Sequence, residues 1–225
     1  HPQWSLTGQV ARGFREPLLS DRYYRGISGR GFITGNPDLD PETSRQADAA
    51  LRWSGDGVRV ALFGFLYRIE DLIERYKTGN NYFFRNRGEA ELKGVELEGT
   101  LDIGASLLVQ LALQRHRGEV REDGSALDSV PADGVVLTLR RDPAERWWWL
   151  ARVSGYARDE RKGPTERVVP GYTVVDGGLG YRVSEALELQ LMGQNLLDHT
   201  YFGSSDEKTI LAPGRSLQLM VRGRI

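Results

Sequence analysis

The chain has 225 residues, a formal net charge of −1, 40% hydrophobic residues and no cysteine. That length admits one large β domain or two small ones, and the near-neutral charge gives no argument for nucleic acid as a partner. The absence of cysteine removes disulfides, cysteine zinc sites and thiol nucleophiles, and no run of about 18 apolar residues exists to form a transmembrane helix.

His1-Pro2-Gln3-Trp4-Ser5 already reads as strand, without the charged and apolar regions of a secretory signal. Strand one is expected from Gln3 to Phe14, where Trp4, Leu6, Gly8 and Val10 alternate with Ser5, Thr7 and Gln9. A connector rich in Gly, Pro, Asp and Arg follows, from Arg15 to Thr43. Strand two, Arg45 to Trp53, sets Ala47, Ala49, Leu51 and Trp53 against Gln46, Asp48 and Arg52, and Ser54-Gly55-Asp56-Gly57 is a tight turn. Strand three, Val58 to Ile69, is apolar on both faces, which leaves its orientation open. Asp71 to Asn81 reads as a polar connector.

Strand four, Tyr82 to Ile103, places Val95, Leu97, Leu101 and Ile103 opposite Glu96, Glu98, Thr100 and Asp102. After Gly104-Ala105-Ser106, strand five runs from Leu107 to Arg117, and a connector spans Gly118 to Asp133. Strand six, Val135 to Arg141, turns through Asp142-Pro143-Ala144-Glu145 into strand seven, Arg146 to Arg158. A charged connector, Asp159 to Gly171, precedes strand eight, Tyr172 to Val183, which turns at Ser184-Glu185-Ala186 into strand nine, Leu187 to Asn195. A last connector, Leu196 to Pro213, leads to strand ten, Gly214 to Ile225, with Leu217, Leu219, Val221 and Ile225 on one face and Gln218, Arg222 and Arg224 on the other.

Period-two alternation marks a strand with one apolar and one wet face. Long and short connectors alternate throughout, so they sort onto two ends of one meander. That is the pattern of an antiparallel up-and-down transmembrane β-barrel, short turns at the periplasm and long loops outside. A mean hydropathy of −0.44 does not argue against it, because only every second strand residue faces lipid. All five tryptophans lie near short-turn ends: Trp4, Trp53, Trp147, Trp148 and Trp149. Tryptophan favours the membrane–water boundary, and five at one level read as part of an aromatic girdle. The competing reading is a soluble β-sandwich with core tryptophans.

Three groups of residues resemble the C-terminal half of the barrel of TonB-dependent outer-membrane receptors. The first is Gly13-Phe14-Arg15-Glu16-Pro17 followed by Gly35-Asn36-Pro37-Asp38-Leu39-Asp40-Pro41-Glu42-Thr43-Ser44, similar to that family's paired "FRAP" and "NPNL" boxes with Glu16 in place of a small residue. The second is Asn86-Arg87-Gly88-Glu89-Ala90 through Lys93-Gly94-Val95-Glu96-Leu97-Glu98. The third is Pro170-Gly171-Tyr172-Thr173-Val174-Val175-Asp176, then Gln194-Asn195-Leu196-Leu197-Asp198-His199-Thr200-Tyr201, then Pro213-Gly214-Arg215. The resemblance covers essentially the whole sequence.

It implies a 22-stranded barrel around a plug, placed in the outer membrane of a Gram-negative bacterium and energised through TonB. The fold expected for residues 1–225 is thus an all-β, C-terminal portion of about ten strands. The plug, the TonB-contacting part and the first strands are expected outside the sequence, since an open arc would leave unpaired edges in lipid. Such barrels usually end in an aromatic residue read by the barrel-assembly machinery; Ile225 departs from that. The implied function is receptor-mediated uptake of a scarce nutrient, an iron chelate (siderophore) first, with haem and cobalamin next. The expected partners are membrane lipid, a metal chelate, TonB and the assembly machinery. A soluble β-sheet binding protein and a passive outer-membrane barrel are the alternatives.

The inward faces carry Asp48, Arg52, Glu96, Glu98, Asp102, Gln110, Gln114, Arg152, Asp176, Arg182, Gln190, Gln194 and Arg222, most of which read as the solvated lining of a lumen. In the first connector, Arg22, Tyr23, Tyr24, Arg25 and Arg30 suit an anionic, ring-bearing ligand by ion pairing and cation–π contact. Asn36-Pro37 to Pro41-Glu42 reads as rigid turn chemistry. Histidines are three, His1, His116 and His199, none between Phe14 and Asn36, where some haem receptors of the family carry one. Asp198, Asp206 and Glu207 match no calcium-loop spacing. Gly26, Gly29 and Gly31 precede no helix and make no phosphate loop, and no nucleophile–base–orienter set is present. No cofactor, metal site or catalytic residue is expected.

Overall fold

The computed structural model describes residues 3–104, 106–142 and 146–223. The strand-like start at His1-Pro2, the interior of the turn at Pro143-Ala144-Glu145, and the lipid-facing placement of Ile225 lie outside the described residues.

Among the described residues, ten antiparallel strands form one continuous wall. They are β1 (Trp4–Arg15), β4 (Glu42–Gly55), β5 (Val58–Thr78), β6 (Asn81–Ile103), β7 (Leu107–Val120), β8 (Gly134–Arg141), β9 (Trp147–Tyr156), β10 (Tyr172–Arg182), β11 (Leu187–Gln194) and β12 (Ser216–Gly223), in that spatial order. The first connector folds into a short helix α1 (Leu19–Tyr23) and a hairpin of β2 (Arg25–Ser28) with β3 (Gly31–Thr34), and β3 pairs in parallel with the tip of β6. Among the described residues β1 and β12 do not pair, so the wall is an open arc.

The registers place side chains on two faces. Directly paired residues share a face, so Leu6–Leu51–Leu62–Leu97–Leu113–Val135 is one outward row. Leu179–Leu191–Leu219 is another at the far end of the arc. Leu97 is half-buried between its neighbours, and the others, from 39% exposed at Leu113 to 77% at Leu6, are apolar side chains with no protein over them. That face is the one turned to hydrocarbon. The same pairing settles β5: Val60, Leu62, Gly64 and Leu66 point outward, and Ala61, Phe63, Phe65 and Tyr67 point inward.

Two expectations need correction. Asp71 to Asn81 is not a connector: β5 and β6 continue as a hairpin to a turn at Gly79-Asn80, with pairs Glu74↔Arg85, Tyr76↔Phe83 and Thr78↔Asn81. Beyond the membrane both faces of a hairpin meet water or loops, so its strands carry charges on either face and lose the alternation that marks a strand. Trp148 is not part of the outward girdle. It lies between Trp147 and Trp149, and period two turns it inward, over Gly180 and with its indole N–H donated to Glu188. A Cβ on Gly180 would sit 2.0 Å from the Trp148 ring, so glycine is required there. Trp4 and Trp53 do meet on the outward face, ring centroids 6.3 Å apart.

Smaller differences lie at strand ends. β4 begins at Glu42, β7 runs to Val120, β9 spans Trp147–Tyr156 and β12 begins at Ser216, shifts of the size that boundary reading carries.

The compact core sits at the long-loop end, on the inner face. Ala90 and Val120 are fully buried under Leu127, with Ile69, Leu72, Leu92 and Val130 around them. The 121–133 connector folds back over the wall to make this cluster, and burying each such aliphatic side chain contributes roughly 1.5–3 kcal/mol.

Candidate functional site at the long-loop end

The inner face of the wall is polar and largely self-satisfied. All thirteen inward residues expected from the sequence share the face of Phe65, Gly94 and His116 by direct or alternate pairing. Tyr67 donates its hydroxyl to Asp48 at 3.0 Å, and the His116 ring nitrogen Nε2 meets Glu96 Oε1 at 2.9 Å. Arg52 lies 5.1 Å from the Phe63 ring centre, a cation–π contact. Gly94 makes room for this layer. A Cβ there would come within 2.5 Å of both the His116 and Phe65 rings.

The family-like boxes fold into knots that fix the loops. Arg15 reaches Glu42 with two nitrogens at 2.8 Å each, and Glu42 also accepts the Ile73 N–H at 3.0 Å. Asn36 donates to the Phe84 carbonyl at 3.2 Å and accepts from the Asp38 N–H, while Asn86 accepts from the Asp40 N–H at 2.8 Å and donates back to the Asp40 carbonyl. Leu39 is 2% exposed beside Pro37 and Pro41 in chain. Phe14 lies outward, and Pro17 precedes α1. At the other end of the chain, Asn195 is buried at a positive φ of 47° and bonds both His199 and the Pro213 carbonyl. Leu196 donates to the Val175 carbonyl, and Asp198 accepts the Arg215 N–H at 2.8 Å, close beside Gly214.

The five residues expected to meet ligand are dispersed. Arg22 donates to the Leu39 carbonyl at 2.7 Å, which ties it to the box. Tyr24 donates its hydroxyl to the Ile27 carbonyl at 3.0 Å, and Tyr23 and Arg25 are exposed. Arg30 pairs with Asp206 at 2.5 Å, bridging the first connector to the last.

That last connector is latched to the β5–β6 hairpin. Glu207 takes Lys77 Nζ at 2.7 and 2.8 Å and also accepts the Tyr82 hydroxyl. Arg167 donates to the carbonyls of Asp206, Glu207 and Thr209 and lies 4.3 Å from the Phe202 ring centre. Lys77, then Tyr82, hold the Glu207 carboxyl below the usual carboxylate range. Arg30 does the same for Asp206. Burial, then Glu207, pushes the Tyr82 phenol up to about 12. The lowered acids stabilise the latch above their ordinary pKa and lose that contribution as pH falls through their depressed values; the raised phenol loses its share as pH rises through about 12. Protease accessibility of residues 196–215 should therefore be low and flat through neutral pH and rise in strong acid. Glu207→Gln should raise the cleavage rate roughly tenfold at neutral pH, the effect of losing a charge-assisted hydrogen bond; an unchanged rate would remove the latch.

Behind the latch, on the inner side, is a cavity of about 390 Å³ lined by Tyr156, Tyr172, Phe202, Asp159, Glu166 and Asp206 among others. Tyr172 faces Tyr156 at 5.0 Å and stacks on Tyr201 at 4.4 Å. This aromatic ladder was not singled out from sequence as a site. The available signal was faint: a tyrosine closing β9, its directly paired tyrosine opening β10, and a Tyr-Phe pair in the last connector. The arrangement can stack and hydrogen-bond a ring-bearing ligand, and on its wall Ser205 donates its hydroxyl to Glu166 at 2.5 Å.

A family model described as TonB dependent receptor-like, beta-barrel, matches residues 1–196. The chain is 27% identical over 216 residues to the vitamin B12 transporter BtuB of Vibrio vulnificus, an alignment covering 91% of this chain and 32% of that protein. It is 26% identical over 204 residues to the catecholate siderophore receptor Fiu of Escherichia coli, covering 84% and 26%. The solved copper transporter OprC superposes with a TM-score of 0.83 at 20% identity, over 98% of this chain and 37% of that one, a likeness of fold. The chain spans about a third of the length of curated relatives that it matches. With ten wall strands sorted into an apolar outer and a polar inner face, the chain belongs to the family of TonB dependent receptor-like β-barrels, proteins of the Gram-negative outer membrane.

Proposed function

We propose that residues 1–225 form the C-terminal part of the wall and outer loops of a receptor for energy-coupled uptake of a scarce nutrient, first of all an iron chelate. The remaining strands, a plug and the TonB-contacting segment belong to the complete receptor. The barrel-assembly machinery inserts it, and no bond is made or broken in the ligand. The observation that carries this reading is the open aromatic cavity above a polar inner wall, bordered by connectors latched to one another. Such a lining can take a ligand from outside and pass it along a hydrated surface. Named relatives include a vitamin B12 transporter and a catecholate siderophore receptor, which supports uptake without choosing the cargo.

In the complete receptor, Arg25→Ser should weaken binding of an anionic ferric chelate about tenfold, the scale of one charge-assisted contact. Unchanged affinity would remove the cationic connector from the ligand path. A second reading is favoured by Asp159, Glu166 and Asp206 on the cavity wall: a neutral, ring-bearing ligand such as a corrin, held by stacking. Under it, Tyr172→Ala weakens cobalamin uptake and Arg25→Ser does not matter.

A further inference from the structure

The loop-end cavity has aromatic rings on its wall and carries charge of one sign. Tyr156, Tyr172 and Phe202 line it together with Asp159, Glu166 and Asp206, and among the described residues no lysine, arginine or histidine does. Its volume of about 390 Å³ suits a small organic group. Tyr156 and Tyr172 are direct cross-strand partners with ring centres 5.0 Å apart, and Tyr201 stacks on Tyr172 at 4.4 Å. The rings are therefore held in place by one another before any ligand arrives. Phe202 already carries one cation: the Arg167 guanidinium, itself off the cavity wall, lies 4.3 Å from its ring centre.

The three carboxylates are compensated unequally. Asp206 is paired with Arg30 at 2.5 Å. Glu166 is held by neutral donors, the Ser129 and Gly163 N–H groups at 2.8 and 2.9 Å and the Ser205 hydroxyl. Asp159 accepts the Arg161 backbone N–H on one oxygen at 3.0 Å. Among the described residues, no ion pair reaches Glu166 or Asp159. The cations near them are engaged elsewhere: Arg167 by three carbonyls, Arg161 by Glu119, Arg158 by Glu160 and Arg117 by Asp133. Burial, with the Glu166 charge adding to it, pushes the neighbouring Asp128 carboxyl up, although Thr165 donates to it twice. The acidic lining also continues down the inner wall. A smaller hollow of about 90 Å³ shares Gln114 and Tyr156 with the cavity and is lined by Glu96 and Glu98.

An anionic group placed here would meet two carboxylates without counter-ions. A protonated amine gains both the ring quadrupoles and the carboxylates. We propose that the cavity is a cage for a cationic nitrogen, the ammonium- or guanidinium-bearing arm of the cargo, held against Tyr156, Tyr172 and Phe202 and neutralised by Asp159 and Glu166. The cage rests on the transport reading for its role, since Glu96 and Glu98 are then the next carboxylates such an arm meets on its way down the wall.

The complete receptor in nanodiscs is titrated at neutral pH and low salt with benzylammonium, benzyl alcohol and benzoate, which share one ring and carry a positive, a neutral and a negative head. Binding is read by saturation-transfer NMR, with receptor-free nanodiscs as the blank. Benzylammonium should bind about tenfold more tightly than benzyl alcohol, benzoate should bind more weakly than either, and added salt should shrink the preference. Asp159→Asn, which keeps an acceptor for the Arg161 N–H, should lower benzylammonium affinity about fivefold and leave benzyl alcohol unchanged. Tyr172→Ala should lower both about fivefold. Heat-modifiability on a gel shows that each variant is folded. Benzyl alcohol or benzoate binding as tightly as benzylammonium, or Asp159→Asn without effect on benzylammonium, would overturn the cage. Uptake of an iron chelate and of cobalamin is measured on the same receptor. Uptake without the ammonium preference removes the cage and keeps the transport reading; the preference without uptake of either does the reverse.

Discussion

Placing arginine at Leu111 should destabilise the barrel by about 2–4 kcal/mol, whereas arginine at Ala112, the next residue, should change it by less than about 1 kcal/mol. Leu111 projects outward between Val109 and Leu113 on its own strand and opposite Leu137 on the next. A guanidinium there enters hydrocarbon near mid-depth and has no acidic neighbour on that face. Ala112 projects inward, paired with Glu98 and Val136, where a new cation is hydrated and gains a carboxylate. The measurement is reversible denaturation of the complete barrel in bilayers or detergent, followed by tryptophan fluorescence. Equal costs at the two positions would mean that the two faces of the wall do not differ in environment, and the sorting into an apolar outer and a polar inner face would fail. A water-soluble sandwich would keep the same order, because its apolar face is a core and its polar face is solvent, so dependence of the folded chain on detergent or bilayer is the companion measurement that separates the two.

The wall was legible because its signal is set by physics at every second residue. In β12, Leu217, Leu219 and Val221 are each more than 60% exposed in this arc, yet no soluble fold would leave them so, and the alternation alone says which side they take. Strand β5 shows where that reasoning stops. Ala61, Phe63, Phe65 and Tyr67 are apolar or aromatic but inward, because the layer they meet holds Gly94, His116 and Asp48 rather than open water. Period two cannot choose between two apolar faces. Pairing with the unambiguous neighbours can. The projecting hairpin of β5 and β6 escaped for the complementary reason: with charges on both faces, Glu74, Arg75 and Lys77 look like a loop.

The loop-end site was less legible than the wall. The boxes mark residues with backbone duties, which sequence patterns record well, and these fold into knots around Glu42, Asn36 and Asn195. The cavity is assembled from Tyr156, Tyr172 and Phe202, three separate segments with no common spacing. Arg30 illustrates the difference. As part of a cationic, aromatic connector it reads as a free ligand contact, but the structure engages it with Asp206 from the far end of the chain. Long-range charge pairing between loops leaves no periodic trace, so it is found only when the loops are folded.

The second large effect is expected at Asn195. Its side chain is 3% exposed and makes three hydrogen bonds: Nδ2 donates to the His199 carbonyl at 2.9 Å and to the Pro213 carbonyl at 3.2 Å, and Oδ1 accepts the His199 N–H at 2.9 Å. Its own N–H is held by Asp176 on the inner wall at 2.9 Å. One residue thus closes the turn after β11, fixes where β12 begins and anchors both to β10. Asn195→Ala deletes all three side-chain bonds and strands their partners, at about 3 kcal/mol in total. It also puts a β-carbon residue other than asparagine at φ 47°, adding roughly 1 kcal/mol. Asn195→Gly should recover only the backbone share, so the gap between the two variants isolates it. Asn195→Asp should fare no better than alanine, because a carboxylate would face two carbonyl oxygens. The check is the temperature at which the complete receptor loses its folded gel mobility. The same knot positions Phe202, Asp206 and Glu207, so Asn195→Ala should also open the 196–215 connector to protease and lower ligand affinity. A stable barrel with an intact connector in that variant would show that the box is not what holds the loop, and the structural reading of these motifs would fail with it.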